Sequence, residues 1–87
     1  LKHLNIDFID RATWPHPVIF VASVESVDRA KDTVLSYVMV NKPMTHIGII
    51  WTTTKPKWII KDVYTSNTGN MERKYCCAPE LVDFREL

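Results

Sequence analysis

Eighty-seven residues, 46% apolar and 24% charged, with two glycines and no low-complexity segment, lead to the expectation of a single globular domain over residues 1–87 and argue against wholesale disorder. Eleven Lys and Arg against ten Asp and Glu give a formal charge of +1, which excludes an acidic nucleic-acid mimic and leaves attraction to phosphates to local clusters only. The longest apolar run, VIFVA at 18–22, is far short of the roughly 20 residues that cross a bilayer, so no membrane partner is expected.

The chain opens on Leu1, with no basic-then-apolar leader, and reads as a fragment or a processed product without a secretory signal. Its two cysteines, Cys76 and Cys77, are adjacent and cannot staple distant segments. Small domains of oxidising compartments carry long-range bridges instead, so an intracellular, cytoplasmic setting is expected.

Residues 1–12 mix helical spacing (Leu1, Leu4, Phe8, Ile9, Ala12) with strand alternation (Ile6, Phe8) and read as an extended segment or short helix lying on the core. The prolines of TWPHP, residues 13–17, break the chain, and the β-branched VIFVAS at 18–23 suits a buried central strand. Beyond it Val27, Ala30, Val34 and Val38, with Leu35 beside them, form one helical stripe. Ser23 or Ser26 is placed to cap the start, and Asn41 with Pro43 stops the run. The β-branched tail TVLSYVMV offers a strand as the alternative. THIGIIWTT (45–53) and KWIIKDVYTS (57–66) read as an antiparallel hairpin closed at Lys55-Pro56. NTGN (67–70) is a turn with Gly69 free to take positive φ, MERKYCC (71–77) a third strand, and Pro79 opens a short helix, ELVDFREL, with Leu81, Phe84 and Leu87 inward. The fold class expected is α+β in the order β-α-β-β-β-α: a mainly antiparallel sheet of about four strands, one long helix across a face, and a short C-terminal helix.

The hairpin's register decides the meaning of its residues. With a two-residue loop, Thr53 faces Trp58, Trp51 faces Ile60 and Ile47 faces Tyr64. Ile47, Ile49, Trp51, Trp58, Ile60 and Tyr64 then share a core face, while His46, Gly48, Ile50, Lys57, Ile59, Lys61 and Val63 share the outer one. Aliphatic residues among lysines on that outer face form a candidate protein-binding surface: Ile50, Lys57, Ile59, Lys61 and Val63. A slip of one residue moves the two tryptophans to opposite faces and exposes one beside the lysines.

The histidines His3, His16 and His46 and the two cysteines lack the spacing at which ligands converge on one zinc ion, so no metal is expected. Adjacent cysteines on a strand read as one buried and one exposed thiol. A nucleophile pair of Cys76 or Cys77 with His46 has no helix N-terminus or oxyanion loop to support it. The carboxylates Asp7, Asp10, Asp28, Asp32, Asp62, Glu72 and Glu80 are scattered and mark no acid–base dyad, and no glycine-rich loop is present to cradle a phosphate. The element order read over residues 26–87, helix, three strands, helix, resembles the topology of the double-stranded RNA-binding domain. That family's lysine cluster at the start of the last helix is replaced here by APELVDFREL, with Glu80 and Asp83, so the resemblance brings no RNA-binding function with it.

Without cofactor or catalytic motif, the expected function is that of a small non-catalytic protein-binding domain, a regulator, inhibitor or assembly subunit. It would act through a sheet face or edge, with homodimerisation open to it. The alternative is RNA or single-stranded DNA binding by Lys55, Lys57, Lys61, Arg73 and Lys74, with Trp58 or Tyr75 stacking on bases, since five of the eleven basic residues fall within 55–74 beside aromatics.

Overall fold

A computed structural model describes residues 1–31, 33–65 and 69–87. Among the described residues the strands are β1 (Lys2–His3), β2 (Ile19–Ser23), β3 (Ser36–Val40), β4 (His46–Trp51), β5 (Ile59–Thr65), β6 (Asn70–Cys77) and β7 (Asp83–Glu86), with one α-helix, α1 (Val24–Ala30), after β2. They form two sheets. The first has the order β1-β3-β4-β7, with β1 parallel to β3 and the other pairs antiparallel. The second, β2-β6-β5, is wholly antiparallel. The result is a small α+β domain made mostly of strands, and no helix among the described residues is long and apolar enough to cross a membrane.

Three expectations from the sequence are corrected. The long helix stops at Ala30. Lys31 takes φ 52°, and its N–H bonds back to Val27 O, closing the helix after seven residues. Residues 36–40 then run as a strand because β4 offers a complete ladder, Ser36 opposite Trp51 through Val40 opposite Ile47. Only Val27 of the proposed stripe is buried, and Leu35 is 75% exposed. Asp32 lies outside the described residues.

The hairpin of 45–53 with 57–66 does not form. Thr52–Lys57 winds as a 3-10 helix around Pro56, which cannot continue a ladder, and carries the chain from one sheet to the other. The strand pair that does form beside it is β5 with β6, Ile59 opposite Cys76 through Thr65 opposite Asn70. The joining turn was read at 67–70. Asn67 and Thr68 lie outside the described residues, and Gly69 takes φ +69°.

Third, Pro79–Leu81 is only a 3-10 turn, and β7 follows in place of a C-terminal helix. Asp83 and Arg85 alternate with Val82 and Phe84, a period of two that a strand along the free edge of β4 satisfies. With the long helix and the terminal helix both gone, the resemblance to the double-stranded RNA-binding topology goes too.

The core lies between the sheets. Met39 and Ile50, with Tyr37 and Phe84 packed beside them, come from the first sheet, and Ile19, Val21 and Cys77, with Ala22 and Tyr75, from the second. The register shifts between Phe20 and Ala22, a bulge that lets both Val21 and Ala22 serve the core. Trp58 closes one end, 8% exposed, its indole N–H donating to Thr54 Oγ1 at 2.9 Å and its ring centred 5.7 Å from Tyr75 and 6.2 Å from Tyr37. Phe8 closes the other, fully buried, edge-on to Trp14 at 5.6 Å and to Phe84 at 5.7 Å. Gly48 permits a close approach: a Cβ there would stand 2.9 Å from Met39 Cε and 3.1 Å from Val82 Cγ1.

Asn41, 2% exposed, satisfies its whole amide. Its Oδ1 accepts from the N–H groups of Thr45 (2.9 Å) and His46 (3.0 Å), and its Nδ2 donates to Phe8 O (2.9 Å) and Thr45 Oγ1 (3.1 Å). Replacing it by leucine leaves buried donors and acceptors unpaired and is expected to cost about 2–4 kcal/mol in denaturant unfolding. On the same assay Ile50→Ala is expected to cost about 2–5 kcal/mol, and Leu35→Ala less than about 0.5 kcal/mol. A large Leu35→Ala effect would restore the helical stripe.

Candidate functional site: the outer face and free edge of the second sheet

Strand β5 is an edge. Among the described residues nothing pairs with its far side, and its length of seven residues makes it the longest open edge of either sheet. Both faces of its first turn of pleat are uncovered: Ile59 is 48% and Ile60 44% exposed. The hairpin runs on past the end of β2, whose last paired residue, Ser23, stands opposite Lys74. Its distal pair, Tyr64 and Met71, is more than 60% exposed on both sides.

Cross-strand partners share a face, so the outer face can be read row by row. Phe20, Cys76 and Ile59 form an apolar row across all three strands. Lys74 and Lys61 stand opposite each other in the next row, and Glu72 and Val63 in the one after. Phe20, 41% exposed, has Lys74 Nζ 5.9 Å from its ring centroid, and Lys2 Nζ reaches its carbonyl oxygen at 3.5 Å. Burial, with the nearby charge of Lys74, lowers the Lys2 ammonium below its usual pKa. Among the described residues Lys2, Lys61 and Lys74 have no carboxylate partner, and the Lys61–Lys74 juxtaposition is repulsive.

Of the residues singled out for protein binding, Ile59, Lys61 and Val63 lie together on this face. Ile50 does not: it is 2% exposed, in the core side of the other sheet. Lys57 is exposed, but on the 3-10 connection.

The residues singled out for nucleic acid are divided. Trp58 is buried and Tyr75 half-buried, with its hydroxyl donating to Asp28 at 3.1 Å. Lys55 is held at the same place, its Nζ 5.4 Å from the Tyr75 ring and 3.8 Å from Asp28. Burial, and then the Asp28 contact, raises the Tyr75 pKa. Arg73 stands opposite Asp62 on the reverse face from Lys61 and Lys74. The five basic residues therefore present no common surface, and neither ring is free to stack.

Phe20, Lys2 and Lys74 complete the outer face around Ile59. Phe20 was read only as part of a buried strand, and the alternation that would have turned it outward is hidden in the uninterrupted apolar run 18–22. His46 is in the first sheet and the cysteines in the second, and among the described residues no three His, Cys, Asp or Glu side chains meet as a metal site. Comparison with known proteins finds no family model, curated protein or solved structure that matches this chain.

Both thiols are buried, correcting the expectation of one buried and one exposed. Burial pushes Cys77 up to about 11 and raises Cys76 despite the opposing charges of Lys61 and Lys74. Neither is expected to react with Ellman's reagent in the folded protein at about pH 8, near an ordinary thiol pKa, and both should react in denaturant. Ile59→Ala should uncover Cys76 and make one thiol per chain reactive. Rapid reaction of the unaltered protein would show that the outer row does not shelter it.

Proposed function

We propose that this chain is a non-catalytic protein-binding domain, a regulator, inhibitor or assembly subunit, that takes an extended acidic segment of its partner as an added strand along β5. The observation that carries this reading is the open edge itself: seven residues, β-branched at four positions, with Ile59 48%, Ile60 44% and Tyr64 63% exposed. Backbone groups along such an edge supply affinity to any extended chain, and the flanking side chains supply selectivity. Ile59 and Val63 offer apolar contacts on the outer face. Lys61, crowded by Lys74 on its inner side, calls for a carboxylate opposite it on the added strand, which would offset that repulsion.

Charge also speaks against a second copy as the occupant. A twofold axis normal to the sheet pairs residues of the same face. Centred on Lys61 it sets lysine against lysine, and centred on Asp62 it sets aspartate against aspartate. Centring on Ile60 or Val63 avoids this but shortens the ladder. The RNA or single-stranded DNA reading keeps Lys61 and Lys74 but loses the rings it named, since Trp58 is buried and Tyr75 half-buried against Asp28.

Peptides selected on the immobilised domain from an unbiased displayed library are expected to be extended, acidic and β-branched. Ile59→Asp should weaken the selected peptides at least about tenfold while leaving the far-ultraviolet circular dichroism unchanged. Lys61→Glu should shift the selection away from acidic sequences. Selected peptides indifferent to both replacements would sink this assignment, and salt-sensitive binding of short single-stranded RNA in their place would move the nucleic-acid reading ahead.

A further inference from the structure

The sandwich is hollow on the side where β1 and β2 end the two sheets. On the hollow side the first sheet ends in β1, only two residues long, and the second ends in β2, whose far edge is unpaired among the described residues. No ladder joins β1 to β2 among the described residues, so the gap between the sheets stays open there. A cavity of about 430 Å³ opens there, walled by Leu4, Ile6, Trp14, Val18, Ile19 and Met39. A second, of about 400 Å³, lies beside it and shares Lys2, Phe20 and Met39 with the first. Cavities of this size and apolar character are those in which small ligands bury most of their surface.

The polar groups of the first cavity have one sign of preference. Lys2, Asn5 and His16 line it, and no carboxylate does. The Trp14 indole N–H is already engaged, directed at Val18 O at 3.4 Å, and the His16 ring lies edge-on to it at 5.7 Å. Lys2 stands at the seam of the two cavities. Its ammonium makes only the 3.5 Å approach to the Phe20 carbonyl, has no ion-pair partner among the described residues, and lies within the field of Lys74. A cation without an ion-pair partner, near a second cation at the mouth of an apolar hollow, is complementary to an apolar molecule with a single anionic head.

We propose that this cavity is a binding site for a medium-length alkyl carboxylate, with its chain against Leu4, Ile6, Trp14 and Met39 and its carboxylate on Lys2. The apolar walls supply the affinity through burial of the chain, and Lys2 selects the charge of the head. Asn5 at the same rim is a second donor to the carboxylate. The cavity shares Lys2 and Phe20 with the outer face but uses no residue of β5, and the proposal stands or falls without an added strand there.

The probe is sodium decanoate, kept below its micelle concentration and added to the whole chain, with backbone amide shifts and tryptophan emission followed together. One saturable site is expected, with shifts at residues 4–6 and 14–20. 1-Decanol should bind at least about tenfold more weakly, and decylamine should not bind at the site. Lys2→Gln, at an exposed position, should weaken decanoate about tenfold and leave 1-decanol unchanged. Val18→Trp, which fills the hollow from its rim, should abolish both. Equal affinity for decanoate and 1-decanol in the unaltered chain overturns the proposal, as does a Lys2→Gln variant that keeps full decanoate affinity. Shifts confined to 59–63, or no saturable binding below the micelle concentration, would overturn it as well.

Discussion

The side-chain amide of Asn41 is the constraint on which the first sheet depends. It sits at the turn between β3 and β4, where Met44 takes φ 58°, and takes up two N–H groups that the turn would otherwise leave unpaired. The same amide holds the carbonyl of Phe8, a residue 33 positions away in sequence. The N-terminal segment has almost no ladder of its own, two residues against β3, so its path is fixed by this bond together with those from Leu4 N–H to Val40 O at 2.9 Å and from Lys42 N–H to Ile6 O at 2.8 Å. Phe8 then enters the core between Trp14 and Phe84 and joins the segment to β7. A buried polar group is expensive unless every lone pair and proton is used, and here each has a partner.

Trp58 plays the corresponding part for the second sheet. The 3-10 connection that ends at Lys57 delivers it to the gap between Tyr37 of one sheet and Tyr75 of the other, so a single ring spans the interface. From there β5 starts already in place beside β6, with its other edge turned to solvent. The two sheets are thus secured at opposite ends by aromatic clusters, while on the side between β1 and β2 no ladder joins them among the described residues. The exposed edge and the hollow are both consequences of this arrangement: the strands run out before the surface does.

Strands 19–23, 46–51, 59–65 and 70–77 were legible to within a residue or two, because β-branched runs bounded by proline, glycine and polar turns leave few alternatives. Their partners were not. Pairing is a long-range choice, and nothing local to Lys55-Pro56 distinguishes a tight hairpin from a 3-10 crossing between sheets. The second half of the stripe shows periodicity losing to tertiary context: residues 24–30 are helical, but Val34 and Val38 also satisfy strand alternation, and over 36–40 the ladder with β4 decided it. Leu81 and Phe84 do pack on the core, but from a 3-10 turn and a strand and not from one helix: Val82 and Phe84 face inward at a period of two, and Leu87 is 67% exposed. Ile59, Lys61 and Val63 were placed together correctly because they belong to one strand. Ile50 was not, because its membership of their face depended on a pairing that does not exist. Lys2 and Phe20 belong to the outer surface through contacts across 18 residues, which no local pattern records.

Met39 has a wider reach than its burial suggests. Its methyl end occupies the space that Gly48 leaves free, and the same side chain walls both cavities on the hollow side. An unbranched thioether changes rotamer at little cost, so it can trade volume between the packed half of the sandwich and the empty half without moving a strand. A side chain at position 48 would force the one at 39 to shorten or turn away, and in doing so would reshape the hollow. Change at a glycine in the middle of a central strand would then be read out, several ångströms away, as a change in what the protein can hold.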